Sequence, residues 1–267
     1  FAGLLALAVL AAIDRLLLPG LRWYVRRRVR GVIEEINVRL KIDLPQFKLT
    51  RRQALIDRLV SDPRVLAAVD EQVQREQVSR LSVMRQVHVY AREIVPAFNA
   101  YVYFRVGYWL AKHFAQFVYR VRLGYTDDAA LAAINPKSTV VFVMNHRSNM
   151  DYILVSFLAA ERVALSYAVG EWARIWPLQG LIRSMGAYLV RRNSGDPLYR
   201  MVLQRYVQMA TEGGVPQAMY PEGGLTIDGR LREPKLGLLD YMLKGFDPQG
   251  ERDLVFIPVG INYDRVI

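Results

Sequence analysis

From residue 136 onward, short apolar runs rich in β-branched residues recur along the chain. They are TVVFVM at 139–144, VALSYAV at 163–169, AYLVR at 187–191, PQAMY at 216–220 and LVFIPV at 254–259. Helical patterns separate them, among them 197–212, which starts behind an Asp196-Pro197 cap. Strands that alternate with helices must share a sheet whose crossovers cover it. Near-continuous apolar runs fit strands buried on both sides, and Pro258 marks the last run as an edge or a wall. The expected fold is therefore α/β, a mixed central β-sheet with helices on both faces, preceded by an N-terminal helical region and a membrane-associated segment.

The chain divides by texture into 1–49, 50–135 and 136–267. Residues 1–13, FAGLLALAVLAAI, carry no charge, and as a helix they would span roughly 20 Å, less than the roughly 30 Å hydrocarbon core. Trp23 and Tyr24 follow, set among Arg22, Arg26, Arg27, Arg28 and Arg30. An apolar stretch with an aromatic and basic flank reads as a membrane anchor with its arginines on the cytosolic side; a buried core helix with a solvated basic end is the alternative. Residues 50–135 read as helical, with Ser61-Asp62-Pro63 as a start signal. In 97–122 aromatics mix with arginines, which suits either plain helix packing or a membrane-contacting face. His88 and His113 lie in these helices and read as structural. Because the chain begins on Phe1 and stops on an apolar stretch, we read it as a piece of something longer, cut short at its C-terminal end.

Charge narrows the partners. A net charge of +11 and a pI of about 9.9 suit phospholipid headgroups, phosphorylated metabolites, nucleic acid or an acidic carrier protein. The basic residues are spread through apolar segments rather than gathered in a nucleic-acid motif, so no nucleic acid is expected. No cysteine is present, which excludes disulfides, thiol nucleophiles and cysteine-ligated zinc, and three scattered histidines make a poor metal site.

One of those histidines stands in FVMNHRSNMDY, residues 142–152. In a continuous helix, positions five apart are rotated by about 140°, so His146 and Asp151 meet only if His146 lies in the loop ahead of a helix that contains Asp151. SNMD then reads as a capping box, with Ser148 as the cap and Asp151 reaching back. That alone accounts for the residues. It also sets a carboxylate against the imidazole, which would fix the tautomer and leave the other ring nitrogen free to take a proton. Adjacent Arg191 and Arg192 end a later run and offer donors to a phosphate, or form a solvated loop. Glu222, Gly223 and Gly224 end another, where glycines allow close backbone approach to a ligand, or form an ordinary turn.

The order HRSNMD, GAYLVRR, YPEGG and IPVGINYD resembles the four acyltransferase blocks of the glycerophospholipid acyltransferases, most of all the glycerol-3-phosphate and dihydroxyacetone-phosphate branch. The flanks GDPLYRMVLQRY and GRLREPKLGLLDYML are similar to that branch too, and the likeness covers roughly residues 50–267. It implies transfer of a fatty acyl group from acyl-CoA or acyl carrier protein to a hydroxyl of glycerol 3-phosphate, with no cofactor and no metal. His146 would be the general base and Asp151 its support. Arg191, Arg192 and Lys235 would hold the phosphate, Glu222 would position acceptor hydroxyls, and backbone N–H groups near Gly223 and Gly224 or beside His146 would meet the oxyanion. The branch usually carries an arginine and a serine after the Glu-Gly-Gly step; here Leu225 and Thr226 stand there, and Arg230 and Lys235 are the basic candidates to supply that phosphate contact instead. The resemblance places the protein on the cytosolic face of the bacterial inner membrane, against anionic lipids. The alternatives are a lysophosphatidate or dihydroxyacetone-phosphate acceptor, or a non-catalytic basic membrane- or lipid-binding module.

Overall fold

The structure, a computed structural model, describes residues 44–122, 124–159, 163–174, 178–191, 194–226 and 228–264. The membrane-anchor reading of the N-terminal segment rests on 1–43, and one half of the arginine pair is Arg192; both lie outside the described residues.

The described chain opens with helices α1 (Gln46–Leu49), α2 (Arg52–Val60), α3 (Pro63–Glu76) and α4 (Arg80–Ile94). A π-helical turn (Val102–Gly107) runs into α5 (Tyr108–Val118), and the short α6 (Asp128–Ala132) precedes the sheet. Then β1 (Thr139–Met144), α7 (Asp151–Ala159), β2 (Ser166–Val169), a 3-10 turn (Glu171–Arg174), α8 (Leu178–Ser184), β3 (Ala187–Leu189), α9 (Pro197–Glu212), β4 (Gln217–Met219), α10 (Gly237–Lys244) and β5 (Leu254–Val259) alternate. Leu44–Ile267 forms one compact unit.

Capping chemistry fixes the helix starts. The Asp62 side chain accepts from Arg64 N ahead of α3, with Pro63 in its first turn. Asp196 accepts from both Leu198 N and Tyr199 N at the head of α9, each such cap being worth about 1 kcal/mol.

The strands lie in the order β3-β2-β4-β1-β5, and every pairing is parallel. The α/β class and its helical cover are as expected; the sheet is uniform where the sequence reading had it mixed, because each connection is a crossover and none is a hairpin. Side-chain alternation sends Val141, Tyr188 and Met219 into one core with α2, α3, α4 and α9. Met144, Ala187, Leu189 and Ala218 face the other side, where Tyr152 and Val155 of α7 pack. β5 closes one edge, so Pro258, opposite Val143, costs no hydrogen bond on the open side.

Parallel strands have one consequence for function: the C-terminal ends of all five emerge on the same side. In open α/β sheets that is where ligands bind. The loops after β1, β4 and β5 are immediate neighbours there, and β3 stands three strand spacings from β1, roughly 14 Å across the sheet.

Candidate active site

The loop after β1 carries Asn145, His146, Arg147 and Ser148, and three sets of bonds hold it. Asn145 clamps the β5 loop reciprocally: its Nδ2 donates to Ile261 O at 2.8 Å and its Oδ1 accepts from Ile261 N at 2.7 Å. The backbone of His146 is gripped from the β4 loop, its N–H donating to Glu222 Oε1 at 2.9 Å and its carbonyl accepting from Thr226 N at 3.0 Å. Arg147 Nη1 donates to Asn262 Oδ1 at 3.1 Å. Three strand ends are thereby stitched around one imidazole.

Asp151 opens α7 and is fully buried. Its Oδ2 accepts from His146 Nδ1 at 2.8 Å, Arg147 N at 2.7 Å and Ser148 N at 3.0 Å. Its Oδ1 accepts from the Tyr263 hydroxyl at 2.5 Å. Ser148 Oγ accepts from Met150 N at 3.1 Å. The capping box and the histidine partnership are thus satisfied by one carboxylate. Two backbone N–H groups can only donate, so Oδ2 is an acceptor and Nδ1 of His146 carries its proton toward it. That leaves Nε2 as the basic nitrogen.

Rings enclose the imidazole. Tyr220 stacks on it with centroids 4.3 Å apart and an interplanar angle of 29°, and Tyr152 meets it edge-on at 5.2 Å and 84°. The histidine side chain is only 5% exposed. Among the described residues, the buried side-chain polar atoms without a partner are Gln72 Oε1, Tyr119 Oη and Gln217 Oε1. Among the described residues no hydrogen bond engages Nε2. Burial, then the hydrogen bond to Asp151 and that carboxylate's charge, push the Tyr263 hydroxyl well above its ordinary value. Burial, then the neighbouring Tyr152 and Asp151, do the same to Tyr220. Both phenols stay protonated donors.

The other residues singled out from sequence divide into two groups. Glu222, Gly223, Gly224 and Lys235 gather on the β4 loop beside His146. Both oxygens of Glu222 are engaged by backbone, Oε1 by His146 N and Oε2 by Arg232 N at 3.0 Å. Gly223 has φ +63°, its N–H donates to Tyr220 O, and a Cβ there would stand 3.0 Å from Cδ of Lys235. The N–H groups of His146, Arg147, Ser148 and Gly223 are all spent on protein acceptors. Those of Gly224 and Leu225 make no hydrogen bond among the described residues.

Arg191 is not brought to this loop. Its guanidinium forks onto Glu93, Nε to Oε1 at 2.9 Å and Nη2 to Oε2 at 2.6 Å, and lies over the rings of Tyr90 and Tyr199. Arg230 extends into solvent, 89% exposed, 4.0 Å from Asp228.

Sequence reasoning gave no role to Tyr263, Arg147 or Arg232. Arg232 bonds Glu222 through its backbone and Leu225 O through its side chain. Arg147, Arg232 and Lys235 have no carboxylate partner among the described residues. Arg147 was legible as a neighbour of His146; the other pairings depend on strand order.

Known proteins resemble the chain over most of its length. A family model described as Acyltransferase matches residues 126–262. A glycerol-3-phosphate acyltransferase of Xanthomonas campestris pv. campestris is 31% identical over 222 residues, 82% of this chain and 25% of that protein. Similar proteins of the same name come from Xylella fastidiosa (strain M23), 30% identical over 244 residues, 90% of this chain and 28% of that one, and from Pseudomonas putida (strain W619), 30% identical over 223 residues, 82% and 27%. The chain spans about a quarter of the length of these relatives.

Proposed function

Because the chain belongs to the acyltransferase family, we propose that it transfers a fatty acyl group from a thioester, acyl-CoA or acyl carrier protein, to a hydroxyl of glycerol 3-phosphate, working on the cytosolic face of a membrane. The observation that carries this reading is the buried pair itself: His146 Nδ1 held 2.8 Å from a carboxylate, which leaves Nε2 as the basic nitrogen, at the C-terminal ends of the strands, where α/β proteins bind ligands.

The acceptor hydroxyl gives its proton to Nε2 of His146 as its oxygen attacks the thioester carbonyl. The Asp151 carboxylate stabilises the imidazolium that forms. The tetrahedral intermediate collapses, the C–S bond breaks, and the thiolate leaves with the proton that Nε2 returns. General base action of this kind contributes roughly 10²–10⁴ in rate. Of the backbone donors beside the site, the unspent N–H groups of Gly224 and Leu225 are the candidates for the oxyanion. Arg147, Arg232 and Lys235 receive the acceptor's phosphate. Arg191 joins them only by leaving Glu93, and Arg230 belongs to an outer ring at most. Glu222 acts through the backbone of His146 rather than on the substrate. The step as written uses no metal and no cofactor.

Leu225 and Thr226, in place of the arginine and serine usual in the glycerol-3-phosphate branch, favour a test of the acceptor. Purified protein is given acyl-CoA with glycerol 3-phosphate, dihydroxyacetone phosphate or lysophosphatidate in separate reactions, alongside His146→Gln. Turnover of glycerol 3-phosphate that falls at least 10³-fold in the variant, with an unchanged melting temperature, is the expected result. Preference for another acceptor moves the substrate assignment. Turnover that survives the substitution sinks the mechanism and returns the protein to a lipid-binding module.

A further inference from the structure

Resting on the acyl-transfer reading for its purpose, a second surface asks for an occupant. Along the π turn and α5, one face is buried: Tyr103, Phe104, Gly107, Ala111 and Ala115. The opposite face holds Val106, Trp109, Leu110, Phe114 and Phe117, with exposures from 38% at Val106 to 89% at Phe117. Positions 106, 109, 110, 114 and 117 follow helical spacing, so these side chains form one outward stripe. A soluble helix normally turns such a stripe inward.

Charge indicates what covers it. Between Glu93 and Asp127 the sequence contains no acidic residue, while Arg105, Lys112, Arg120 and Arg122 lie in that span. Arg120 and Arg122 are exposed just past the end of α5. Lys112 stands 5.8 Å from the ring centroid of Tyr108, its stem along the helix flank. An apolar aromatic face with basic flanks and no acids is complementary to an anionic bilayer surface, in which the helix lies flat. The helix belongs at the surface rather than across the bilayer, since no helix among the described residues is long and apolar enough to span it.

Position gives the contact its function. The inner side of α5 packs on α7, the helix that Asp151 opens, with Tyr108 and Phe157 in ring contact at 6.1 Å. We propose that the stripe Val106–Phe117 seats the protein in the headgroup layer of anionic phospholipid, so that the acyl chain and the lipid product pass between bilayer and active site without crossing water.

The test uses the whole chain, which contains no cysteine and so takes a single engineered one for labelling. Phe114→Cys on the stripe and Glu71→Cys on exposed α3 each carry an environment-sensitive fluorophore. Vesicles are made of phosphatidylglycerol and phosphatidylcholine, or of phosphatidylcholine alone, with brominated acyl chains as quencher. The label at 114 is expected to shift to the blue and be quenched on anionic vesicles, and the label at 71 to stay unchanged. The double substitution Trp109→Glu with Phe117→Glu is expected to remove the quenching of a 114 label while leaving turnover of a water-soluble short-chain acyl-CoA within about twofold.

A 114 label that remains in water on vesicle-bound protein overturns the proposal. So does a double variant that changes the oligomeric mass or the melting temperature instead of the quenching, because a second copy or residues 1–43 would then be the cover. Lipid insertion without any acyl transfer would leave the docking surface standing and sink only the catalytic reading; transfer without insertion would do the reverse.

Discussion

Substituting Asp151 by Asn isolates the charge of the proposed dyad from its geometry. Three donors converge on Oδ2, from His146 Nδ1, Arg147 N and Ser148 N, so the amide oxygen must take that side. The new NH2 then faces the Tyr263 hydroxyl, which has a lone pair to accept with. The Nδ1 hydrogen bond and the histidine tautomer survive, and what disappears is the negative charge beside the imidazolium. Opposite charges about 4 Å apart attract by about 4 kcal/mol at an effective dielectric of 20. At 1.36 kcal/mol per factor of ten that is about 10³ in rate. The loss belongs to kcat, because the imidazolium exists only after proton transfer. Two hydrogen bonds to backbone N–H also lose their charge assistance, about 1–2 kcal/mol together, and for a domain of this size the melting temperature falls by roughly 2–8 °C. Steady-state kcat and KM for glycerol 3-phosphate, measured beside thermal melts, separate the two effects. A folded variant that keeps kcat within tenfold of the parent refutes the reasoning.

Three further perturbations follow from the same geometry. Tyr263→Phe strips Oδ1 of Asp151 of its donor; a buried carboxylate oxygen left short of a partner costs about 1–3 kcal/mol, thermal melts should show the drop, and an unchanged melting temperature would count against the bond. Gly223→Ala forces a side chain onto φ +63° and against the stem of Lys235, at about 1–2 kcal/mol; differential scanning calorimetry should show the drop, and KM for the acceptor should rise. Burial holds the Lys48 ammonium well below its ordinary 10.5, so the unfolded chain binds that proton more tightly and stability climbs with pH between the lowered folded value and 10.5, by up to about 1.36 kcal/mol per unit. Lys48→Met should raise the melting temperature at pH 7 and flatten that climb; an unchanged pH–stability curve would count against the depressed value.

Legibility in the sequence follows how local each cause is. The runs at 139–144 and 254–259 are strands to the residue, because β-branched runs bounded by turns need no distant partner to be recognised. The helix at 197–212 starts and stops as read, since its cap is adjacent. The runs at 163–169, 187–191 and 216–220 keep fewer paired residues, because only β2, β3 and β4 positions opposite a neighbour join the ladder. His146 and Asp151 were legible as a pair because a loop and one helical turn bring them together. Arg191 was read as a phosphate fork; its partner, Glu93, lies 98 residues earlier in a helix whose docking no local pattern announces. Glu222 was read as touching substrate, and its two oxygens instead hold backbone 76 and 10 residues away. Tyr263 reaches Asp151 only because β5 lies beside β1, a fact of strand order.

The grip on the His146 backbone has a consequence for folding. Its N–H and carbonyl are held by Glu222 and Thr226, and the adjoining Asn145 by Ile261, 116 residues downstream. A collapsed intermediate with its helices packed but the last strand undocked would look native by helical content and still lack a tethered imidazole. Recovered turnover after dilution from denaturant therefore reports the slowest, most non-local closure of the sheet, and lags behind the return of ellipticity.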